Sequence, residues 1–188
     1  MNSDLQYELA REILALLQRL NRKLVCTESC TAGLVAATLG GIPGASNSLC
    51  GSAVVYRNQT KVEWLGVSPM VLDDPAQGDV CEETARQMAR GALTATTEAS
   101  VAISVTGHLG PGAPTTLDGL VYAGWAEKDS SSPADVRVLA QRIELQQPAP
   151  AGPADIDRRV ARQKEATRAV LLMIRVELLR IETESDHH

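Results

Sequence analysis

Short apolar segments with the composition of β-strands alternate with segments of helical spacing along most of this chain. LVCTES (24–29) is typical of a short buried strand and runs directly into TAGLVAATLGG, where Leu34, Val35 and Leu39 follow helical spacing. VAISVTG (101–107), with its β-branched residues and terminal glycine, is the clearest core strand. This alternation predicts an α/β fold, a three-layer α/β/α sandwich around a mostly parallel sheet.

Further segments extend the same pattern. SAVVYR (52–57) is interpreted as a strand that leads through a polar turn into a short helix ending near Gly66. The apolar segments 119–128 and 136–145 are predicted to be adjacent strands, and an antiparallel pairing between them would make the sheet mixed. Helices are predicted over 4–21, over 82–96 and from residue 156 onward, the last one after a Pro/Ala linker at 147–155.

The composition fits one domain of this class. The chain has 188 residues, 44% of them hydrophobic, but aromatic residues make up only 3% and Phe is absent. A core of Leu, Val, Ala and Ile suits a buried sheet flanked by helices better than it suits an aromatic-rich β-sandwich. We therefore expect a single domain over 1–188, beginning with the helix at 4–21 and ending in a flexible tail from about residue 182.

The charge distribution argues against nucleic-acid and membrane partners. A net charge of −5 lacks the surplus of Lys and Arg that nucleic-acid binding needs, although a small phosphate-bearing molecule requires only one or two local cations. The amino-terminal helix carries Asp4, Glu8 and Glu12 within its apolar stripe, unlike a signal peptide. No apolar run approaches the roughly 20 residues of a membrane span. These features predict a cytoplasmic protein.

The four cysteines lack the spacing of a metal site. Cys26, Cys30, Cys50 and Cys81 form no CxxC pair, and two of the three histidines end the chain. We therefore expect buried reduced thiols and no metal.

Polar residues that could bind a ligand follow the first two predicted strands. Ser29 and Thr31 precede a helix, where unpaired backbone N–H groups and the helix dipole favour an anion, although either hydroxyl can simply cap the helix. Tyr56 lies at the end of the second predicted strand and Lys61 five residues later, and a lysine held out of water can act as general base to a serine. An ordinary exposed lysine on a turn is the alternative at that position.

Two later motifs are less specific when taken alone. Thr106 and Gly107 open a Gly/Pro-rich loop whose backbone N–H groups could approach a phosphate or an oxyanion, or which is a simple turn. Asp157 and Arg158 begin the last helix, where an arginine is unfavourable for the helix dipole unless a ligand or an acidic partner compensates it. The alternative for Arg158 is a solvated side chain beside an acidic N-cap.

The order of these motifs along the chain is more specific than any one of them. ESCTAGLVAATL, IPGAS, VVYRNQTKVEWLGV, SVTGHLGPG and DRRVAR together resemble the C-terminal domain of the CinA competence/damage family, over about residues 5–180. The resemblance implies a three-layer α/β fold, commonly dimeric, that hydrolyses nicotinamide mononucleotide (NMN) to nicotinic acid mononucleotide and ammonia. It therefore implies a small-molecule nucleotide substrate, a homodimer, and no metal or organic cofactor.

The resemblance also assigns candidate site residues. Among the departures from the family pattern, Ala32 stands where that pattern has glycine, and Ala45 stands where it has the first serine of PGSS. The matched positions are Ser29, Thr31, Ser46, Tyr56, Asn58, Lys61, Thr106, Gly107 and Arg158. Four of them are expected to be catalytic, namely Ser46, Ser29, Lys61 and Tyr56. The other five are expected to contact the substrate.

The chemistry expected at such a site is acyl transfer through a serine. Ser46 is the preferred nucleophile, with Ser29 as a hydrogen-bonding partner, and the reverse assignment is also open. Lys61 takes the serine proton in this hypothesis, and Tyr56 positions the lysine or relays the proton. Cys30 is a further candidate, since a thiol at a helix N-terminus is activated.

Groups that hold the charged parts of the substrate complete the hypothesis. Backbone N–H groups near Thr106–Gly107, or at the start of the helix at 31–40, are expected to stabilise the oxyanion, and Arg158 is expected to hold the 5′-phosphate. The sequence departs from the family pattern within 57–60 and 108–114. These departures leave two other functions open: a non-catalytic nucleotide-binding or regulatory module, and a hydrolase of a different carboxamide.

Overall fold

Helices and strands alternate along the chain as its patterning predicts. The computed structural model describes residues 2–75, 78–129 and 135–185, with side chains from residue 5 onward. The helices are α1 (Asn2–Arg19), α2 (Leu34–Gly40), α3 (Asn58–Leu65), α4 (Pro69–Leu72), α5 (Glu82–Ala95) and α6 (Ile156–Ser185), and a short 3₁₀ helix covers Ala45–Asn47. The strands are β1 (Leu24–Glu28), β2 (Leu49–Val54), β3 (Val101–Gly107), β4 (Leu120–Lys128) and β5 (Val136–Glu144).

The strands form one mixed sheet in the order β2-β1-β3-β4-β5. β1 pairs in parallel with β2 and with β3, whereas β4 is antiparallel to both β3 and β5. The predicted α/β sandwich with a mixed sheet is confirmed, including the antiparallel pairing of the last two strands. Because β1, β2 and β3 run in one direction, their carboxyl ends meet at one edge of the sheet, and we call this the carboxyl edge.

Helices cover both faces of the sheet, and each face has its own apolar core. Ile103 and Trp125 belong to the core that α1, α2 and α6 cover, whereas Ala102 and Ala126 belong to the core that α3, α4 and α5 cover. Neighbouring strand residues alternate between the two faces, as the pleat of a strand requires. Within the described ranges, no helix is long and apolar enough to cross a membrane.

The second strand differs from its prediction in a way that matters for the site. β2 covers Leu49–Val54 rather than 52–57, because its parallel register with β1 places Val54 opposite Glu28, the last residue of β1. The chain leaves the sheet beyond that point. Tyr56 therefore lies in the loop at the carboxyl edge and not within the strand.

The chain ends also differ from expectation. α6 continues to Ser185, so residues 182–185 are helical rather than part of a flexible tail, and Glu182 forms an ion pair with Arg19 of α1 at 2.8 Å. Residues 186–188 of the expected tail lie outside the described residues. The single-turn helix α4, Pro69–Leu72, is an element that the sequence analysis does not predict.

Candidate active site

Polar side chains from three loops and from the start of α6 gather at the carboxyl edge. β1 runs into the turn Ser29–Thr31, β2 into the loop that holds Tyr56, and β3 ends at Gly107. α6 contributes Arg159, whose Nη2 donates to the Tyr56 hydroxyl at 2.7 Å. The sequence motifs at the ends of the parallel strands thus meet in space, as the fold prediction requires.

The carboxylate of Glu28 occupies the amino end of α2. This side chain is 1% exposed and accepts a hydrogen bond of 2.7 Å from the Thr31 hydroxyl. It also accepts from three backbone amides at 2.9–3.1 Å, those of Gly33, Val35 and Ala36. A substrate oxyanion cannot use these three amides because Glu28 already accepts their hydrogen bonds, so they do not form the expected oxyanion site. The Thr31 hydroxyl is likewise occupied by its hydrogen bond to Glu28 and does not face a ligand.

Glu28 is a site residue that is not predicted from the sequence, although a signal for it is present. A glutamate a few residues before a helix start can bind the unpaired amides of the first turn, where the helix dipole favours a negative charge. Its burial inside the turn depends on tertiary structure, which spacing alone does not give. The consequence is a rigid turn that fixes the backbone of Ser29 and Cys30.

Ala32 adopts the left-handed conformation in this turn, with φ of +55°, directly before Gly33 at +96°. An L-residue pays about 1–2 kcal/mol there, and glycine does not. Ala32→Gly is therefore expected to raise the free energy of unfolding by about 0.5–1 kcal/mol, after the larger entropy of a glycine in the unfolded chain is subtracted. Urea denaturation measures the change.

The exposed Ala37 of α2 is the matched control for this prediction. Ala37→Gly makes the same alanine-to-glycine change at a helical position and is expected to lower the free energy of unfolding by about 1 kcal/mol. A loss of stability in Ala32→Gly as large as that in Ala37→Gly would contradict the strain assigned to the turn.

Two amides of the turn, those of Cys30 and Thr31, remain available to a ligand. The Ser29 amide donates to the Val105 carbonyl at 2.9 Å, and the Ala32 amide donates to the Ser29 carbonyl at 3.0 Å. The Cys30 and Thr31 amides, by contrast, donate to no protein acceptor within residues 2–75, 78–129 and 135–185. Ser29 is a candidate nucleophile, and the N–H of the residue directly after a nucleophile is a common oxyanion donor, so these two amides are suitable for oxyanion stabilisation.

Lys61 is buried in the first turns of α3. The residue is 1% exposed, and its Nζ donates to Asn58 Oδ1 at 3.3 Å. Burial lowers the pKa of the Lys61 ammonium from the usual 10.5, while the negative charge of Asp79 opposes part of that shift. Among the described residues, no carboxylate lies within 4 Å of Nζ. The predicted lysine is thus held out of water, and the alternative of an exposed turn lysine is wrong.

The arginine of the last helix is not the expected one. Arg158 turns away from the carboxyl edge: its Nε lies 3.4 Å from Asp155 Oδ2, and its Nη1 donates to the Ala149 carbonyl at 3.3 Å. Arg159 instead donates to the Tyr56 hydroxyl and to the Gly110 carbonyl. Successive helical residues point about 100° apart, so a shift of one position decides which arginine reaches the site.

Cys30 is a poor nucleophile despite its position. Burial raises the pKa of the Cys30 thiol to about 12, a shift that the positive charges of Arg159 and Lys61 oppose only in part. The thiol therefore stays protonated at neutral pH. Both cations act on this one buried group, so Lys61 and Arg159 lie near the turn Ser29–Thr31 at the carboxyl edge, although α3 and α6 cover opposite faces of the sheet.

Thr106 and Gly107 have structural roles in this chain. The Thr106 hydroxyl is buried and donates to the Asp79 carbonyl at 2.7 Å, which fixes the loop that carries Asp79 beside Lys61. A Cβ atom at Gly107 would lie 2.7 Å from Val121 Cγ2, so the close approach of β4 accounts for this glycine. Neither residue is assigned to the substrate by these contacts.

Ser46 lies at the opposite end of the sheet. It is an exposed residue of the 3₁₀ helix that precedes β2, whereas Ser29 follows β1, and the two strands are parallel. The five residues of β1 separate the two ends by about 16 Å at about 3.3 Å per residue. The expected pair of Ser46 and Lys61 is therefore not formed within one chain. Ser29, which is 8% exposed, is the serine at the same edge as Lys61.

These features define an α/β protein with a cationic, serine-containing site at the carboxyl edge of its parallel strands. The family model described as the CinA C-terminal domain matches residues 6–151 of this chain. The chain therefore belongs to the CinA C-terminal domain family, as its motifs indicate.

Relatives and solved structures agree with this assignment. The putative competence-damage inducible protein of Caldicellulosiruptor bescii is 38% identical over 137 residues, which are 72% of this chain and 33% of that protein. A CinA-like protein of Myxococcus xanthus is 42% identical over 115 residues, or 60% of this chain and 27% of that protein. The chain spans about a third of the length of these curated relatives.

Among solved structures, competence/damage inducible protein CihA from Agrobacterium tumefaciens has a TM-score of 0.77 and 30% identity, covering 92% of this chain and 94% of its own. A CinA superfamily protein from Klebsiella pneumoniae has a TM-score of 0.76 at 21% identity, covering 93% and 98%. At that lower identity the likeness concerns the fold alone.

Proposed function

We propose that this protein is an amidohydrolase that converts NMN to nicotinic acid mononucleotide and ammonia. The observation that carries the proposal is the buried Lys61, which has a lowered pKa and lies near the turn Ser29–Thr31 at the carboxyl edge. A lysine kept out of water is a suitable proton acceptor for a serine hydroxyl. The family resemblance supports the same reaction.

Ser29 is the proposed nucleophile. Its hydroxyl proton passes to neutral Lys61 as Ser29 Oγ bonds to the carboxamide carbon, and the carbonyl oxygen becomes an oxyanion. We assign the available N–H groups of Cys30 and Thr31 to this oxyanion. One such donor typically contributes about 3–4 kcal/mol to transition-state stabilisation.

Two bond cleavages complete the reaction. The C–N bond breaks as Lys61 returns its proton to the departing nitrogen, so that ammonia leaves and an ester of Ser29 remains. Water then attacks the ester carbon and gives a proton to Lys61, and that proton returns to Oγ as the C–O bond to Ser29 breaks. One water is consumed, and one ammonia and one carboxylic acid are formed.

The charge of the site favours an anionic substrate. Arg159 uses two of its five N–H donors on Tyr56 and Gly110, and no carboxylate lies within 4 Å of it among the described residues. An arginine with donors to spare binds a phosphate well. We therefore assign the 5′-phosphate to Arg159 instead of Arg158.

Ammonia release from a set of amides tests this proposal. NMN is expected to be the best substrate. Nicotinamide riboside, which lacks the phosphate, is expected to have a kcat/KM at least about tenfold lower than that of NMN, because the charged contact to Arg159 is lost. Binding of NMN without ammonia release would identify a nucleotide-binding module instead. Release of ammonia from an unrelated carboxamide but not from NMN would leave the reaction class in place and replace the substrate.

A further inference from the structure

A second arginine of α6 forms a buried ion pair behind the proposed phosphate site. Arg162 is 5% exposed, and its Nη1 and Nη2 lie 2.7 and 3.2 Å from the two carboxylate oxygens of Asp118. Its Nε donates to the Gln147 carbonyl at 3.1 Å. All three nitrogens of the guanidinium are thus bound, which leaves Arg162 little capacity for a substrate.

Two glycines form a slot for this guanidinium. Gly110 and Gly119 have φ of +64° and +77°, in the left-handed region. A Cβ atom at Gly119 would lie 3.2 Å from Arg162 Nη2, and one at Gly110 would lie 2.9 Å from Asp118 Oδ1. Both glycines belong to the segment 108–119, which we call the glycine loop, so this loop closes around the Arg162 side chain.

The glycine loop also holds Arg159. The Gly110 carbonyl accepts a hydrogen bond from Arg159 Nη1, and Arg159 Nη2 reaches the Tyr56 hydroxyl. Arg159 and Arg162 are three residues apart on α6, so their side chains extend from the same face of the helix. One arginine thus fixes the loop whose carbonyl orients the other.

We propose that Arg162 and Asp118 are positioning residues that hold the glycine loop so that Arg159 is presented to the phosphate of the substrate. The inference rests on the proposed function, in which Arg159 binds that phosphate. A purely structural ion pair is the alternative, and it predicts a loss of stability with no selective effect on phosphate-bearing substrates.

Arg162→Lys tests the proposal by kinetics. Lysine keeps the charge but cannot bridge both oxygens of Asp118 in the plane that the slot requires. The KM for NMN is expected to rise about tenfold, while kcat for NMN and the KM for nicotinamide riboside change less than about twofold. Equal losses for both substrates would overturn the positioning role. Asp118→Asn, a milder change at a partly exposed residue, is expected to raise the KM for NMN by a smaller factor and again to leave the KM for nicotinamide riboside nearly unchanged. This variant replaces Arg162→Lys in the test if Arg162→Lys does not fold.

Arg175→Lys is the matched control, because Arg175 lies on α6 like Arg162 and forms an exposed ion pair at 2.6 Å with Glu12 of α1. It is expected to leave both KM values unchanged. A rise in the KM for NMN equal to that of Arg162→Lys would overturn the proposal.

Titration calorimetry with inorganic phosphate separates this inference from the proposed reaction. The unmodified protein is expected to bind phosphate, Arg159→Gln to lose binding, and Arg162→Lys to bind about tenfold more weakly. This pattern without any ammonia release would retain the positioning role and reject the amidohydrolase. Ammonia release by the unmodified protein together with unchanged phosphate binding in Arg162→Lys would retain the amidohydrolase and reject the positioning role. Absence of phosphate binding by the unmodified protein would also overturn the positioning role.

Discussion

Lys61→Met is expected to abolish ammonia release while leaving the folded protein at least as stable as before. Methionine has a similar length and no charge, so it fills the buried space but accepts no proton from Ser29. General-base catalysis contributes about 10²–10⁴-fold to a rate, and kcat is expected to fall by at least about 10³-fold. Steady-state assays of ammonia release measure the loss, and retention of a tenth of the activity would contradict the assignment of Lys61 as the base.

The stability of Lys61→Met is expected to depend on pH in a defined direction. Burial disfavours the charged form of Lys61, so the substitution is expected to raise the free energy of unfolding at neutral pH by about 1 kcal/mol or more. The folded-state pKa lies below the unfolded value of 10.5. The folded protein therefore loses this proton first as pH rises, and the unmodified protein gains stability between its folded-state pKa and 10.5.

The measurement is urea denaturation of both proteins from neutral pH to about pH 10.5, the usual value for a lysine. The difference in free energy of unfolding between Lys61→Met and the unmodified protein is expected to become smaller as the pH rises through this window. Lys164→Met, at an exposed position of α6, is the control and is expected to keep full activity and nearly unchanged stability. An advantage of Lys61→Met that widens with pH would show that the folded-state pKa of Lys61 is raised instead.

The second large effect concerns the two serines. Ser29→Ala is expected to lower kcat by at least about 10³-fold because no other hydroxyl replaces the nucleophile, whereas Ser46→Ala is expected to keep nearly full activity. The two substitutions remove the same atom at opposite ends of the sheet, so each controls for the other. Circular dichroism and urea denaturation check that both variants fold.

Loss of activity in Ser46→Ala alone would contradict the role proposed for Ser29. Since Ser46 lies about 16 Å from the carboxyl edge along β1, that result would require a second copy of the chain to bring its own Ser46 to Lys61. A mixture of Ser46→Ala and Lys61→Met proteins would then regain activity by exchange of subunits. The homodimer implied by the family resemblance would be needed for this, and it stays a prediction.

The sequence predicts the fold well because local patterns determine most of it. The strand Val101–Gly107 has the predicted bounds, since its apolar and β-branched residues are buried on both faces. The second strand is displaced by three residues because its bounds depend on pairing with β1, which no local pattern records. Element type is thus set by composition and spacing, whereas register is set by partners.

The site is predicted less completely for the same physical reason. Lys61 and Tyr56 are found because they follow a strand that ends at the carboxyl edge. Ser46 is misplaced because α2 carries the chain back across the sheet, so a motif that follows this helix lies at the other end. Arg159 is missed because a helix turns by about 100° per residue, and a motif match does not record which face meets the site.

Formation of nicotinic acid mononucleotide and ammonia from NMN by the purified protein tests the central claim most directly. Equal amounts of the two products are expected from the unmodified protein, with neither formed by folded Lys61→Met. Tight binding of NMN by the unmodified protein with no product after prolonged incubation would contradict the claim and would leave a nucleotide-binding module.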